Sequence, residues 1–246
     1  MKFLLRSLLI ICGICILFAG YAFTTAKAKP RLLVFSKTAG FRHDCIPVAK
    51  LAMMQLGAEK GFAVDTTEDA AVFTAKNLKR YKAIIFLNTT GNVLDDGQQA
   101  AMENYIRKGG GYVGVHAATD TEYDWPWYNQ LVGAYFLSHP HQQTATLHVE
   151  DRDHPATRHL DSTWIRKDEW YNFKSIVPGL HVLLRIDEQS YKGGKNGDDH
   201  PMSWCRDFDG GRTFYTELGH TKESYSEPAF LQHVWGGIEY VMAKKK

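Results

Sequence analysis

Lys82-Ala-Ile-Ile-Phe-Leu-Asn88, a helical stretch from Leu94 to Lys108, the run Gly109-Gly110-Gly111 and Tyr112-Val-Gly-Val115 follow one another without a break. The two apolar runs are of the kind buried on both faces in a parallel sheet. Asp95 and Asp96 open the helix between them. The glycines close it, where the chain must pass through a left-handed conformation. Strand, helix and strand with short connections are the unit of a doubly wound sheet. Upstream the pattern repeats: Arg31–Ser36 is a buried strand, Lys37–Asp44 a polar loop, Pro47–Lys60 a helix ending at Gly61, and Phe62–Thr66 a short strand. The downstream half reads differently. Thr144–Glu150, Asp168–Phe173, His181–Ile186, Pro201–Arg206 and Arg212–Glu217 are strand-like with few helices between them, which predicts extra or antiparallel strands at one edge. Pro228–Met242 is a last helix, and Lys244–Lys246 a solvated tail that suits its dipole. The whole reads as one α/β domain from residue 29 to 246.

Composition agrees with that class. With 246 residues, 44% of them hydrophobic and 23% charged, the chain is neither disordered nor fibrous. Its 29 basic and 27 acidic residues are too evenly matched for a nucleic-acid binder. Residues 1–28 have a basic start (Lys2, Arg6), an apolar run from Leu8 to Phe23 and a small-x-small close at Ala26-Lys27-Ala28, the layout of a secretory signal peptide. The expectation is an exported, periplasmic protein, held at a membrane only if that segment stays uncleaved. Cleavage removes three basic residues and no acid, which leaves the chain slightly acidic. Cys45 and Cys205 then remain. They read as isolated thiols rather than a disulfide framework, with their pairing left open.

In open α/β sheets ligands bind beyond the carboxyl ends of the strands. The loops at those ends hold Arg42-His43-Asp44, Thr89-Thr90-Gly91-Asn92, His116-Ala-Ala-Thr119-Asp120-Thr121 and, late in the chain, Leu218-Gly219-His220. Turns alone call for Gly, Asn and Asp. A His in three of four such loops predicts a shared site built from His43, His116 and His220. His139-Pro140-His141 puts two imidazoles on one side of an extended segment, which suits a metal or a plain loop. Asp168 and Glu169, adjacent on a strand, point to opposite faces. One of them is therefore expected in the site, as base or ligand, and the other at the surface. Tyr123, Trp125, Trp127 and Tyr128 fit a sugar-stacking wall and equally a hydrophobic lid.

Other chemistries find little support. The glycine run precedes a strand, so it is not a phosphate loop. There is no paired Cys-x-x-Cys set and no His-Glu-x-x-His. The position after Val115, where a strand–elbow–helix hydrolase holds its nucleophile, holds His116.

FRH at 41–43, GVHAATDT at 114–121, GAYFLSHP at 133–140, DEWYNF at 168–173, PMSWCRDFDGGRTFYTELGH at 201–220 and WGGIEY at 235–240 together resemble the motif series of the trehalose-utilisation (ThuA-like) family, in order and over nearly the whole mature chain. The resemblance implies a flavodoxin-like, class I glutamine amidotransferase-like three-layer α/β sandwich with a mostly parallel sheet and extra edge strands. His116 stands where an amidotransferase has its Cys, so that activity is not carried over. The implied role is in carbohydrate catabolism, beside dehydrogenases that make 3-keto sugars, with a small carbohydrate as substrate. On this basis His43, His116, Asp120, Glu169 and His220 are the catalytic candidates. Arg42, Thr119, Tyr123, Trp125, His139 and Tyr171 are the candidates for substrate contact. A divalent metal such as Zn would take its ligands from His43, His116, His139 and His220. The expected reaction is hydrolysis or elimination on 3-keto-glycosides. The alternative is a non-catalytic sugar-binding or accessory protein, and a third reading is a thiol hydrolase using Cys45 or Cys205.

Overall fold

The computed structural model describes residues 29–243; the expected signal segment 1–28 and the tail 244–246 lie outside them. In chain order the elements are β1 (Arg31–Phe35), α1 (Ile46–Glu59), β2 (Ala63–Thr67), α2 (Ala75–Leu78), β3 (Tyr81–Leu87), α3 (Asp96–Arg107), β4 (Gly111–Val115), α4 (Pro126–Val132), β5 (Tyr135–Ser138), β6 (Gln143–Val149), β7 (Thr163–Asp168), β8 (Asn172–Lys174), β9 (His181–Ile186), β10 (Pro201–Phe208), β11 (Gly211–Thr216) and α5 (Pro228–Met242). Among the described residues no helix is long and apolar enough to cross a membrane.

Nine strands form one sheet in the order β2-β1-β3-β4-β11-β10-β9-β6-β7. β2, β1, β3, β4 and β11 are mutually parallel. From β11 outward each neighbour is antiparallel. Alternation turns β9 and β7 back into the direction of the parallel set, so seven of the nine strands end at one edge. Helices cover both faces. Phe214 of β11 packs against His233 of α5, ring centroids 5.4 Å apart. Its neighbour Tyr215 faces the other way, toward Thr119 and Trp204. On that second face Tyr112 and Tyr128 share a 2.7 Å hydroxyl contact, which ties β4 to α4.

The antiparallel half does not lie flat. Four strand spacings separate β11 from β7, about 19 Å in a flat sheet. Yet Trp164 of β7 reaches His233 of α5, centroids 5.9 Å apart, and the Arg166 guanidinium lies over Phe230 of the same helix. The sheet therefore curls round α5. Two glycines of α5 permit the close fit: a Cβ on Gly236 would meet the Pro155 carbonyl oxygen at 2.2 Å, and one on Gly237 the Phe214 ring at 2.3 Å.

The expected single strand Asp168–Phe173 is a correction. β7 ends at Asp168, and β8 pairs with β5 in a separate two-stranded sheet. The Asp168 carboxylate accepts the Glu169 amide at 3.0 Å, which takes that donor out of the ladder. The pattern of β7 is inverted for a strand: Ile165 points out, 66% exposed, whereas Arg166 and Asp168 point in and are buried. α4 and β5 were likewise not expected.

Candidate active site

Three parallel strands end in loops that bring imidazoles together. His43 follows β1, His116 follows β4 and His220 follows β11, and their ring centroids lie 4.9, 5.1 and 5.1 Å apart in a near-equilateral triangle. His116 has φ of 50°, a left-handed backbone that a residue with a side chain rarely adopts, directly after the strand. That elbow turns its ring inward. The curl of the sheet delivers the fourth group. Glu169, one residue past β7, sets Oε2 3.1 Å from His220 Nδ1 and 3.5 Å from His116 Nε2, and Oε1 3.1 Å from His139 Nδ1. Together with Phe41, Asp120, Phe136 and Tyr171, residues His43, His139, Glu169 and His220 line a cavity of ≈ 260 Å³.

His116 is wholly buried. Its Nδ1 lies 2.7 Å from the Glu217 carbonyl. A carbonyl only accepts, so Nδ1 carries the proton and Nε2 is turned toward His220 and Glu169. Burial disfavours the imidazolium, but hydrogen bonds to Glu169 and Glu217 outweigh it and raise His116 to about 10. Glu169 shows the converse balance: burial pushes its carboxyl up, and the two imidazoles hold it well below the usual carboxylate range. His43 is driven down to about 2, by burial first and then by the neighbouring rings of His116 and His220. Glu217, behind the cluster, is raised to about 7 by burial.

Asp168 is not the surface charge expected of one member of the acidic pair. It is fully buried and accepts the backbone amides of Gly219 (3.0 Å) and His220 (3.1 Å), while Arg166 pairs with it at 3.0 Å. It holds the His220 loop in place. Asp120 lines the cavity with its Oδ1 on the Tyr123 hydroxyl at 2.6 Å, and burial raises its carboxyl. Tyr171 lies between His116 and Phe136, centroids 4.5 and 4.4 Å away.

Several candidates for substrate contact lie elsewhere. Arg42 forms a two-pronged pair with Glu68 at the surface. Thr119 is buried behind the site on the Tyr215 hydroxyl. Trp125 stacks on Trp127 and donates to Glu103 of α3, so these rings pack the helical layer. Tyr123 sits behind Asp120 and orients it. Cys45 and Cys205 are buried free thiols, each raised to about 12 by burial, poor thiolate nucleophiles. Three contributors are not among the candidates named from the sequence. Phe41 lines the cavity from the loop after β1. Phe136 lies on the unexpected β5. Glu217 left a usable signal, an acid closing an otherwise wholly buried strand.

The donor atoms of His43, His116, Glu169 and His220 all lie within 4.8 Å of one another. His139, offered above as a ligand, is not in this set; it turns to Glu169 and to the Pro140 carbonyl.

Fold and site together define a doubly wound α/β protein with a buried imidazole–carboxylate pocket at the carboxyl edge of its sheet. The model of the ThuA family, trehalose utilisation, matches residues 31–241, and the chain belongs to that family. It is similar in structure to a ThuA-like protein of Bacteroides uniformis ATCC 8492, at 26% identity and a TM-score of 0.75, over 92% of this chain and 97% of that one. A ThuA-like protein of Parabacteroides merdae ATCC 43184 shares the fold at 20% identity and a TM-score of 0.73, over 88% and 91% of the two chains. A beta-galactosidase of Bacillus circulans sp. alkalophilus shares the fold alone, at 12% identity and a TM-score of 0.55, over 87% of this chain and 31% of that one. No curated protein matches the chain.

Proposed function

We propose that the protein is a carbohydrate-processing enzyme acting by acid–base chemistry on 3-keto-glycosides or 3-keto-disaccharides. The observation that carries this reading is the meeting of His43, His220 and Glu169 at a small cavity, with His116 buried directly behind them and Asp120 and His139 also in its lining. The family's description, trehalose utilisation, supports a carbohydrate substrate. The cavity is smaller than the roughly 300 Å³ at which pockets for drug-sized ligands begin, a size for one sugar ring rather than two. Phe41, Phe136 and Tyr171 offer that ring apolar faces.

A ketone at C3 acidifies the proton on C2. With its oxygen toward His220, which His116 backs at 3.1 Å, the developing enolate meets a donor rather than water. Asp120, its carboxyl raised by burial, takes the C2 proton. His139, half-exposed at the rim, protonates the departing C1 oxygen and exchanges protons with solvent. Departure leaves a C1–C2 double bond; water added across it completes a net hydrolysis.

The test is a 3-keto-glucoside beside the unoxidised glucoside in D2O. Deuterium entering C2 of the keto sugar, with loss of the aglycone, is the expected result, and Asp120→Asn should lower the exchange rate by about 10²–10⁴-fold. Binding of both sugars with neither exchange nor cleavage would instead make this a non-catalytic sugar-binding protein. The layout of residues 1–28 supports a periplasmic setting; fractionation of an expressing bacterium, with sequencing of the N-terminus, tests it.

A further inference from the structure

We infer that His116 Nε2, His220 Nδ1, Glu169 Oε2 and a ring nitrogen of His43 form a binding site for one divalent transition-metal ion of the zinc class. Zinc bonds imidazole nitrogen and carboxylate oxygen at about 2.0–2.1 Å in a tetrahedron, and two such arms place their donor atoms about 3.3–3.4 Å apart. The three edges among His116, His220 and Glu169 measure 3.1, 3.1 and 3.5 Å. The fourth donor, from His43, lies within 4.8 Å of each of them. The cluster thus outlines a near-tetrahedral face with its last corner open by at most about 1.5 Å.

Three further features point the same way. His43 is 4% exposed, and its Nδ1 is buried with no hydrogen-bond partner among the described residues. A buried imidazole normally satisfies both nitrogens, so an unsatisfied one beside two other rings asks for a cation or a water. His116 donates its other N–H to a backbone carbonyl, the arrangement that fixes the tautomer of a metal-ligating histidine. The supporting contacts are also in place. His139 holds the free oxygen of Glu169, and Asp168 holds the backbone of His220. Without an ion, only a proton can separate two imidazole nitrogens 3.1 Å apart.

The ligand chemistry, three imidazoles and one carboxylate with no thiolate, suits Zn²⁺ and admits Mn²⁺, Fe²⁺ or Co²⁺. Bound there, such an ion supplies Lewis acidity to a carbonyl oxygen at the cavity floor. That use rests on the reading of the pocket as a keto-sugar site. The binding itself does not.

The experiment is therefore run with metal alone. The full chain is stripped with a chelator, its fold verified by circular dichroism, and titrated with Zn²⁺ and then Co²⁺. One equivalent of saturable Zn²⁺ is expected, and the Co²⁺ form should show the visible bands of a four- or five-coordinate nitrogen–oxygen site. Because the Co²⁺ spectrum is read on the wild-type chain, the result does not depend on a variant folding. Glu169→Gln and His220→Gln should each weaken binding by more than about 100-fold, beyond the cost of losing an outer partner. His181→Gln, an exposed side chain at the start of β9 against Asp151, should leave it unchanged. No saturable binding, or binding that survives both ligand variants, overturns the inference. One equivalent of metal on a protein inert toward keto sugars leaves the site standing and removes the proposed reaction. No saturable binding by a protein fully active in excess chelator does the reverse.

Discussion

Thr216 and Glu217 are neighbours at the end of β11, and each serves a buried histidine on the opposite face of the sheet. His233 and His116 are equally inaccessible to solvent, and each has Nδ1 2.7 Å from a backbone carbonyl, that of Ala156 in one case and Glu217 in the other. They differ at the second nitrogen. His233 Nε2 meets the Thr216 hydroxyl at 3.1 Å, so the ring is satisfied by neutral partners, and burial pushes it down to about 3. His116 Nε2 meets another imidazole and a carboxylate. Burial and a carbonyl anchor are therefore shared by a structural and a functional histidine. What separates them is whether the free nitrogen is answered by a group that ends the network or by one that extends it.

The contrast yields graded expectations. The largest effect belongs to His116→Gln, which keeps most of the volume but not the ring: turnover on a keto sugar should fall by about 10²–10³-fold, in line with loss of the group that backs His220 and Glu169. A variant retaining even a tenth of wild-type turnover would erase the functional side of the comparison. Asp168→Asn comes next. It keeps the shape but weakens three backbone contacts and the Arg166 pair, so about 1–3 kcal/mol of stability and roughly tenfold in turnover should be lost together, read by denaturant titration and kinetics on the same sample. His233→Asn should cost a comparable 1–3 kcal/mol, roughly, and leave turnover per folded molecule unchanged.

His233 also has a pH signature. Its pKa is near 6.5 unfolded and about 3 folded, so between those values the unfolded chain binds the extra proton. The contribution is complete above pH 6.5 and is withdrawn as the pH falls toward 3, at up to about 1.4 kcal/mol per pH unit. The Asn variant should show a correspondingly flatter acid limb; an identical limb would mean that His233 is not the titrating group. The smallest effect is that of Arg42→Ala. An exposed pair with Glu68 is worth about 0–1 kcal/mol, and turnover should stay within about twofold, whereas a tenfold loss would return Arg42 to the pocket.

The parallel half was legible in the sequence because its strands are apolar on both faces, and the rule that ligands gather at carboxyl ends then places His43, His116 and His220 together. Glu169 could be named from its motif, but its route to the pocket could not be read. That route depends on the curl of the antiparallel strands round α5, a tertiary event that leaves no periodicity, and on β7, whose inward residues are Trp164, Arg166 and Asp168. The misplacement of Trp125 has a simpler cause. Rings spaced along a short helix look the same in a helical core as along a sugar site, and here Trp125 and Tyr128 share one stack.

The elbow at His116 and the curl that delivers Glu169 also bear on the order in which the molecule is made. His116 and His220 are 104 residues apart, and Asp168 and His220 52. Contacts of such span are entropically costly to close and form late in folding. β1 to β4, close in sequence, can assemble and bury their part of the core before β11 joins β4 and β7 wraps the last helix. The pocket is then the final part completed, and after dilution from denaturant, recovery of turnover should lag recovery of tryptophan fluorescence. A chain caught between the two would be compact, largely helical and stranded, and chemically silent.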